Sequence, residues 1–389
     1  MFFLVLLGCV FVFGEMVFFL KEKSVSELEN RSLNSFQHFA VEDFINGDFQ
    51  DNYEAAISDQ FLGSEQIRYY YNQAFSHLPD FGLGDLMCEG RYLELKSKDG
   101  KKRGTFGCDG YIVYLPDRLS EEKKKVANEN IKKYNKLNKL VDTYYYFVDD
   151  ASSFDFEKDE RVFDYYEFLS SNLDGEKKAK RLEYNSTFDD YVKYYYRTDH
   201  HWNKEGSYQG FLDIAKMMDI KKTAEPRGVV TNHEDSFGSH ARMTANFDYP
   251  EEFSFYKFDI PEHKTMINRV PEEYSNYRNY EIHNYVYDKM TSYYAYVYGG
   301  DFGEVVFDFE QPKNGNLLII SNSYSNAVNE LIAQYYNKTY VVDLRYYQEQ
   351  LGESFVLSRY IKDNRIDKVL VIMCPFFLWS EESSMGVDL

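Results

Sequence analysis

Histidine and tryptophan are scarce in this 389-residue chain, with eight of the first and two of the second. No HExxH or comparable ligand spacing occurs, and no CxxC or CxxCH pair marks a zinc, redox or haem motif. Cysteines number four. Cys9 lies in an apolar N-terminal run and Cys374 in the strand-like "VLVIMCPFF". That leaves Cys88 and Cys108 as a loop-like pair, either bridged in an oxidising compartment or present as free thiols. Positive charge is also short: 44 Lys and Arg face 64 Asp and Glu, a net charge of −20. This argues against nucleic acid and anionic membrane surfaces as partners, since both need clustered cations. Repeats and low-complexity segments are absent too.

The chain begins with "MFFLVLLGCVFVFGEMVFFL", broken only by Glu15 and two glycines. The run matches the ~20 residues of a membrane-spanning helix and exceeds the apolar core of a cleavable signal. No small-x-small cleavage site follows, so residues 1–23 read as a signal-anchor. Single-pass attachment to the cell membrane with an extracellular domain is the expectation, although the basic flank that would support this orientation is missing. Hydrophobic residues make up 44% of the chain, enough for a sizeable core. Aromatics reach 18%, mostly 37 Tyr and 32 Phe, in scattered clusters that read as compositional bias more than as a glycan-binding face.

Residues 24–60 read as a polar lead-in and 61–389 as the main domain. "GYIVYL" (110–115) and "TYYYFVDD" (143–150) have strand composition, and Ser120 is placed to cap a helix between them. A further helix is expected over 160–173, and another over 204–220 with Asn203 as its cap. Residues 222–316 resist assignment and read as an elaborated insertion. Strands 316–320, 339–344 and 367–373 then alternate with helices, one of them expected from about Tyr346 to Asp363. Such alternation implies βαβ units and a mostly parallel sheet.

Two stretches carry chemistry. In "NLLIISNSYSNAVNEL" a buried-type strand ends at Ile320 and a helix follows. Side chains there line the crevice where open α/β sheets bind ligands. Ser321, Ser323 and Ser325 compete for a nucleophile's role; Ser325 is placed as the helix N-cap, and Ser323 at the apex of the turn is the candidate. Capping is the ordinary use of such serines. The second stretch is "TDHHW". A serine needs a base, and the base needs an orienting carboxylate. On an extended chain Asp199 and His201 project to one side and His200 to the other. A metal site from His200, His201, His233, Asp235 and His240 ranks low, because adjacent histidines on an extended chain do not readily share an ion. No cofactor is implied.

"TDHHWN", together with "ENRSL", "DNYEAAISDQF", "SNSYSNA" and "VVDLRYY", resembles the DHHW family, exported bacterial proteins similar to the alginate O-acetylation proteins AlgJ and AlgX within the SGNH-hydrolase-like group. The resemblance implies a three-layer α/β sandwich with permuted motif order, the Asp-x-His element preceding the serine. It implies Ser323 as nucleophile, His201 as base and Asp199 as orienting acid, with Trp202 packing and Arg345 and Tyr346 near the site. Asn322 departs from the residues common before the serine in that family, which leaves the oxyanion hole unassigned. The expected activity is O-acetyl transfer to a cell-envelope or secreted polysaccharide, beside a membrane-bound O-acyltransferase that supplies acetyl groups. Two rivals stand: a carbohydrate acetylesterase using the same residues, and a non-catalytic glycan-binding envelope protein.

Overall fold

The computed structural model describes residues 101–272 and 292–380, apart from 108, 117, 158–162, 175–177 and 184–186, together with parts of 25–71 and 92–97. The expected anchor at 1–23 and both Cys88 and Cys108 lie outside the described residues. Among the described residues no helix is long and apolar enough to cross a membrane.

The lead-in carries helices α1 (Val41–Asn46) and α2 (Asp48–Gln60). Strands β1 (Tyr92–Leu95), β2 (Arg103–Phe106) and β3 (Tyr111–Tyr114) form an antiparallel sheet of their own. The "GYIVYL" strand is therefore real but stands outside the βαβ alternation. Helix α3 (Glu121–Leu140) starts where Ser120 accepts the Lys123 N–H, with Glu121 and Glu122 in its positive first turn. Its face of Ala127, Ile131, Tyr134 and Leu137 is buried. Then come β4 (Asp142–Phe147), α4 (Tyr165–Asn172), β5 (Ala179–Arg181), α5 (Phe188–Tyr194) and α6 (Lys204–Met217). Asn203 caps α6 by accepting from the Glu205 and Gly206 amides.

The segment 222–316 holds a hairpin, β6 (Gly228–Ser236) with β7 (Glu251–Lys257), and between them α7 (Ser239–Thr244). A second hairpin, β8 (Lys264–Ile267) and β9 (Val270–Glu272), turns on Asn268 and Arg269, both at positive φ. Two such residues make the tight turn whose twist suits a hairpin. After α8 (Tyr293–Tyr298), β10 (Glu304–Asp308) pairs antiparallel with both β8 and β12 (Lys338–Val342), so this segment extends the main sheet. The rest comprises β11 (Asn316–Ile320), a 3₁₀ turn at Ser323–Ala327, α9 (Asn329–Ala333), α10 (Leu344–Leu351), α11 (Leu357–Asp363), β13 (Lys368–Met373) and α12 (Pro375–Trp379). The single helix expected over 346–363 is two helices, because Gly352 takes the left-handed φ of 72° and ends α10.

The eight strands run in the order β9-β8-β10-β12-β11-β13-β4-β5. The five from β12 to β5 are parallel and the edge beyond β12 is antiparallel. Residues Leu317–Ile320 and Val369–Met373 are all fully buried. Successive side chains on a strand face opposite ways, so both faces of the sheet centre are covered. Much of the aromatic excess is spent here: Tyr134, Tyr145, Tyr146, Tyr191, Tyr195 and Phe211 are core residues.

Candidate active site

A cleft of about 350 Å³ opens where four parallel strands end. Asp150 and Ser152 follow β4, Asn322 and Ser323 follow β11, Arg345 follows β12, and Cys374 to Phe376 follow β13, all lining it. This is the position the topology of an open α/β sheet assigns to a ligand.

Ser323 opens the 3₁₀ turn after β11. Asn322, not Ser325, is the cap: its Oδ1 accepts from Tyr324 N at 3.2 Å and its carbonyl from Ser325 N at 3.1 Å. The asparagine makes its own Asx turn immediately after the strand, which starts the turn three residues earlier than the spacing suggested. Ser321 and Ser325 are buried and donate their hydroxyls to the Asn322 carbonyl, at 3.0 and 3.2 Å. Only Ser323 of the three lines the cleft. Its Oγ lies 2.9 Å from His201 Nε2.

The loop carrying His201 is closed by a bridge between Tyr195 and Trp202 and is bent, not extended. Asp199 Oδ1 accepts both the His201 backbone N–H, at 3.0 Å, and Nδ1, at 2.5 Å. The pair thus meets through an Asx turn, where alternation along an extended chain was expected. Asp199 Oδ2 accepts from Ser239 N at 2.9 Å. Glu251 accepts from the Arg197 and Thr198 amides at 2.7 and 2.8 Å, and Gly238 N donates to Thr198 Oγ1 at 2.9 Å. A Cβ on Gly238 would sit 2.3 Å from Asp199 Cβ, so glycine is required for this approach. Burial would raise the Asp199 carboxyl, but His201, its hydrogen bond, His200 and the Ser239 amide together hold it well below 3.8.

His200 does not face away. The bend sets its ring centroid 3.8 Å from that of His201, it lines the cleft, and its ring is 24% exposed. Nδ1 meets Ser239 Oγ. Burial and the neighbouring His201 push its pKa well below 6.5, so it stays neutral. The same bend brings one ligand atom each from Asp199, His200 and His201 within 4.8 Å of one another, closer than adjacent histidines on an extended chain allow. Among the described residues His233, Asp235 and His240 do not join that group. His233 pairs with Glu252 at 3.0 Å, and buried His240 accepts from Arg103 Nε at 2.9 Å.

Trp202 is fully buried and packs against the Gly210 position of α6 and Tyr146. Arg345 pairs with Asp343 at 2.6 Å and Asp301 at 3.5 Å, with its guanidinium 5.1 Å from the Tyr346 ring. One participant had no signal in the sequence. Tyr294 stacks flat on His201, centroids 3.6 Å apart and planes 5° apart, while its hydroxyl donates to the Ser323 carbonyl at 3.0 Å. In a chain with 37 tyrosines, no spacing singles it out.

Fold and site together define an α/β protein with a serine, histidine and aspartate in hydrogen-bond series at the carboxyl ends of parallel strands. No family model and no curated protein matches the sequence. Solved structures do match. A DHHW family protein from Eubacterium siraeum has 19% identity and a TM-score of 0.54 over 75% of this chain and 95% of its own. Bacillus cereus PatB1 has 18% identity and 0.54 over 76% and 100%, and its form with a sulfonyl adduct 17% and 0.53 over 73% and 97%. The O-acetyltransferase domain of Pseudomonas putida AlgJ, at 10% identity and 0.38 over 77% and 95%, is too distant to carry weight. The DHHW-type resemblance carried by the motifs is thus met by structures that share the fold.

Proposed function

We propose that this chain is a serine-dependent O-acyltransferase that moves acetyl groups onto a cell-envelope or secreted polysaccharide. The observation that carries the reading is the 2.9 Å contact between Ser323 Oγ and His201 Nε2, with Asp199 on the other ring nitrogen. Neutral serine is a poor nucleophile; an imidazole at this distance accepts its proton as it attacks. Asp199, ionised at neutral pH, holds Nδ1–H toward itself and so keeps Nε2 open as the base.

In the first half-reaction Ser323 Oγ bonds to the acetyl carbonyl carbon and its proton passes to His201 Nε2. The tetrahedral intermediate collapses, and the donor's leaving oxygen or sulfur takes that proton. In the second, a sugar hydroxyl attacks the acetyl-serine, gives its proton to Nε2, and Ser323 departs by recovering it. Asn322 already occupies the Tyr324 and Ser325 amides, so the Ser323 N–H, first in the turn, is assigned to the oxyanion. PatB1, of the same fold, is known with a sulfonyl adduct, which suits a fold that can carry an activated nucleophile.

The acetylesterase reading keeps these steps with water as acceptor. Incubating the full-length protein with an acetyl donor, with and without oligosaccharide acceptors, separates the two. Acetylated sugar supports transfer; free acetate at the same rate in both arms supports hydrolysis. Residues 1–23 serve in this scheme as the anchor holding the site at the outer membrane face, and a membrane-bound O-acyltransferase supplies the acetyl group. Protease shaving of intact cells tests the placement, and full-length protein in the cytosol would refute it.

A further inference from the structure

We infer that His200 reads the acceptor: its Nε2–H takes the oxygen beside the attacking hydroxyl, so the enzyme favours sugars that present a vicinal diol. This rests on the transfer reaction proposed above. The hydroxyl that attacks acetyl-serine must reach His201 Nε2, the atom that takes its proton. Two rings stack on that imidazole. Tyr294 is not among the cleft-lining residues, and its hydroxyl is spent on the Ser323 carbonyl at 3.0 Å. His200 does line the cleft, its ring centroid 3.8 Å from that of His201 and the planes 35° apart.

The hydrogen on the His200 ring can be placed. Ser239 Oγ accepts the His200 backbone N–H at 3.4 Å and also meets His200 Nδ1. No other acceptor among the described residues meets that hydroxyl, so its single hydrogen points to Nδ1. Asp199 Oδ1, the alternative partner for a proton on Nδ1, is 3.6 Å away and already accepts twice from His201. The neutral ring therefore carries its hydrogen on Nε2, which has no partner among the described residues. The support is fixed on both sides: Tyr324 donates its hydroxyl to the His200 carbonyl at 2.8 Å, and Ser239 N donates to Asp199 Oδ2 at 2.9 Å. The cleft thus offers an acceptor nitrogen on His201 beside a donor nitrogen on His200. Adjacent hydroxyls of a sugar match that pair, one giving its hydrogen to His201 and the other a lone pair to His200. A hydroxyl without such a neighbour leaves the His200 N–H to water.

The test gives the full-length protein an activated acetyl ester and methyl glycosides of mannose, glucose and galactose, each beside its single-deoxy forms. Acetyl groups should land on ring hydroxyls that have a free neighbour, and deleting that neighbour should lower kcat/KM about tenfold, mostly through KM. Fluorophosphonate labelling of Ser323 reports the donor half-reaction separately, and thermal midpoints report the fold. His200→Phe keeps a ring against His201 but has no N–H, so its parent-to-deoxy ratio should fall toward one. His200→Gln restores a side-chain N–H and should recover part of the ratio. Equal use of parent and deoxy acceptors by the wild-type protein overturns the inference and leaves the transferase reading standing. An unchanged ratio in a folded His200→Phe that still labels at Ser323 does the same, as does acetylation confined to the primary hydroxyl. Labelling at Ser323 with free acetate as the sole product, whatever the acceptor, strikes the transferase reading itself and the inference with it.

Discussion

The two halves of the candidate triad are held in different ways. Ser323 is placed mainly by its own segment: a buried parallel strand ends at Ile320, Asn322 makes an Asx turn, and the serine follows, with Tyr294 adding one bond to its carbonyl. His201 is placed by the tertiary structure. Its loop depends on Glu251, Gly238 and Ser239, some forty to fifty residues downstream, and on Tyr294 beneath the ring. A candidate nucleophile held chiefly by its own strand end tolerates distant changes better than a candidate base held by a separate hairpin. Substitutions far from the cleft should therefore impair proton transfer before they move the serine.

The largest effect falls on the local half. Ser323→Ala should lower acetyl turnover by on the order of 10⁶-fold with an unchanged thermal midpoint. Asp199→Asn should cost about 10⁴-fold near neutral pH, because the amide favours the wrong imidazole tautomer while still filling the space below Ser239. Glu251→Ala sharpens the contrast. It strips the Arg197 and Thr198 amides of their acceptor, so kcat should fall by about 10²-fold through misplacement of His201. Its control is Ser325→Ala, which removes one hydroxyl bond from the serine turn and should cost only about 1 kcal/mol of stability. Equal kinetic losses in these two variants would break the comparison.

The pH dependence follows from the base loop. His200 is held below its ordinary 6.5. The folded state therefore binds that proton less readily than the unfolded chain, and stability, full above about 6.5, declines as pH falls through that value. Asp199 adds a second loss at lower pH, since its stabilising contribution is complete above 3.8 and is lost as pH falls below it. Glu251, raised above 4.5 by burial, has the opposite sign and costs stability as pH rises through its folded value. In the smallest of these effects, His200→Gln should flatten the decline in thermal midpoint between about pH 7 and 5 and cost turnover no more than about tenfold. An equally steep decline in that variant would show that the ring does not carry it.

Much of the parallel half of the sheet was legible. Runs such as "NLLII" and "KVLVIM" are buried on both faces and admit few other readings, and Ser120 and Asn203 cap the helices they precede. The segment 222–316 was not legible. Its tight hairpin turns on Asn268 and Arg269 without the glycine that usually signals one, and its strands extend a sheet whose other members lie far away in sequence. At the site, the identity of the apex serine and the Asp199–His201 spacing could be read. The bend that turns His200 into the cleft could not, because it depends on Glu251 and Ser239, which nothing in "TDHHW" announces. Tyr294 was hidden by sheer abundance of its kind.

The most direct measurement is the site and the dependence of covalent labelling. Full-length protein treated with a fluorophosphonate or an activated acetyl ester, acid-quenched and digested, should carry the adduct on the peptide containing Ser323. Labelling should be lost in Ser323→Ala and slowed by orders of magnitude in His201→Ala, but kept within about tenfold in His200→Ala. An adduct on another residue, no adduct on folded protein, or equal labelling rates in the two histidine variants would contradict the account.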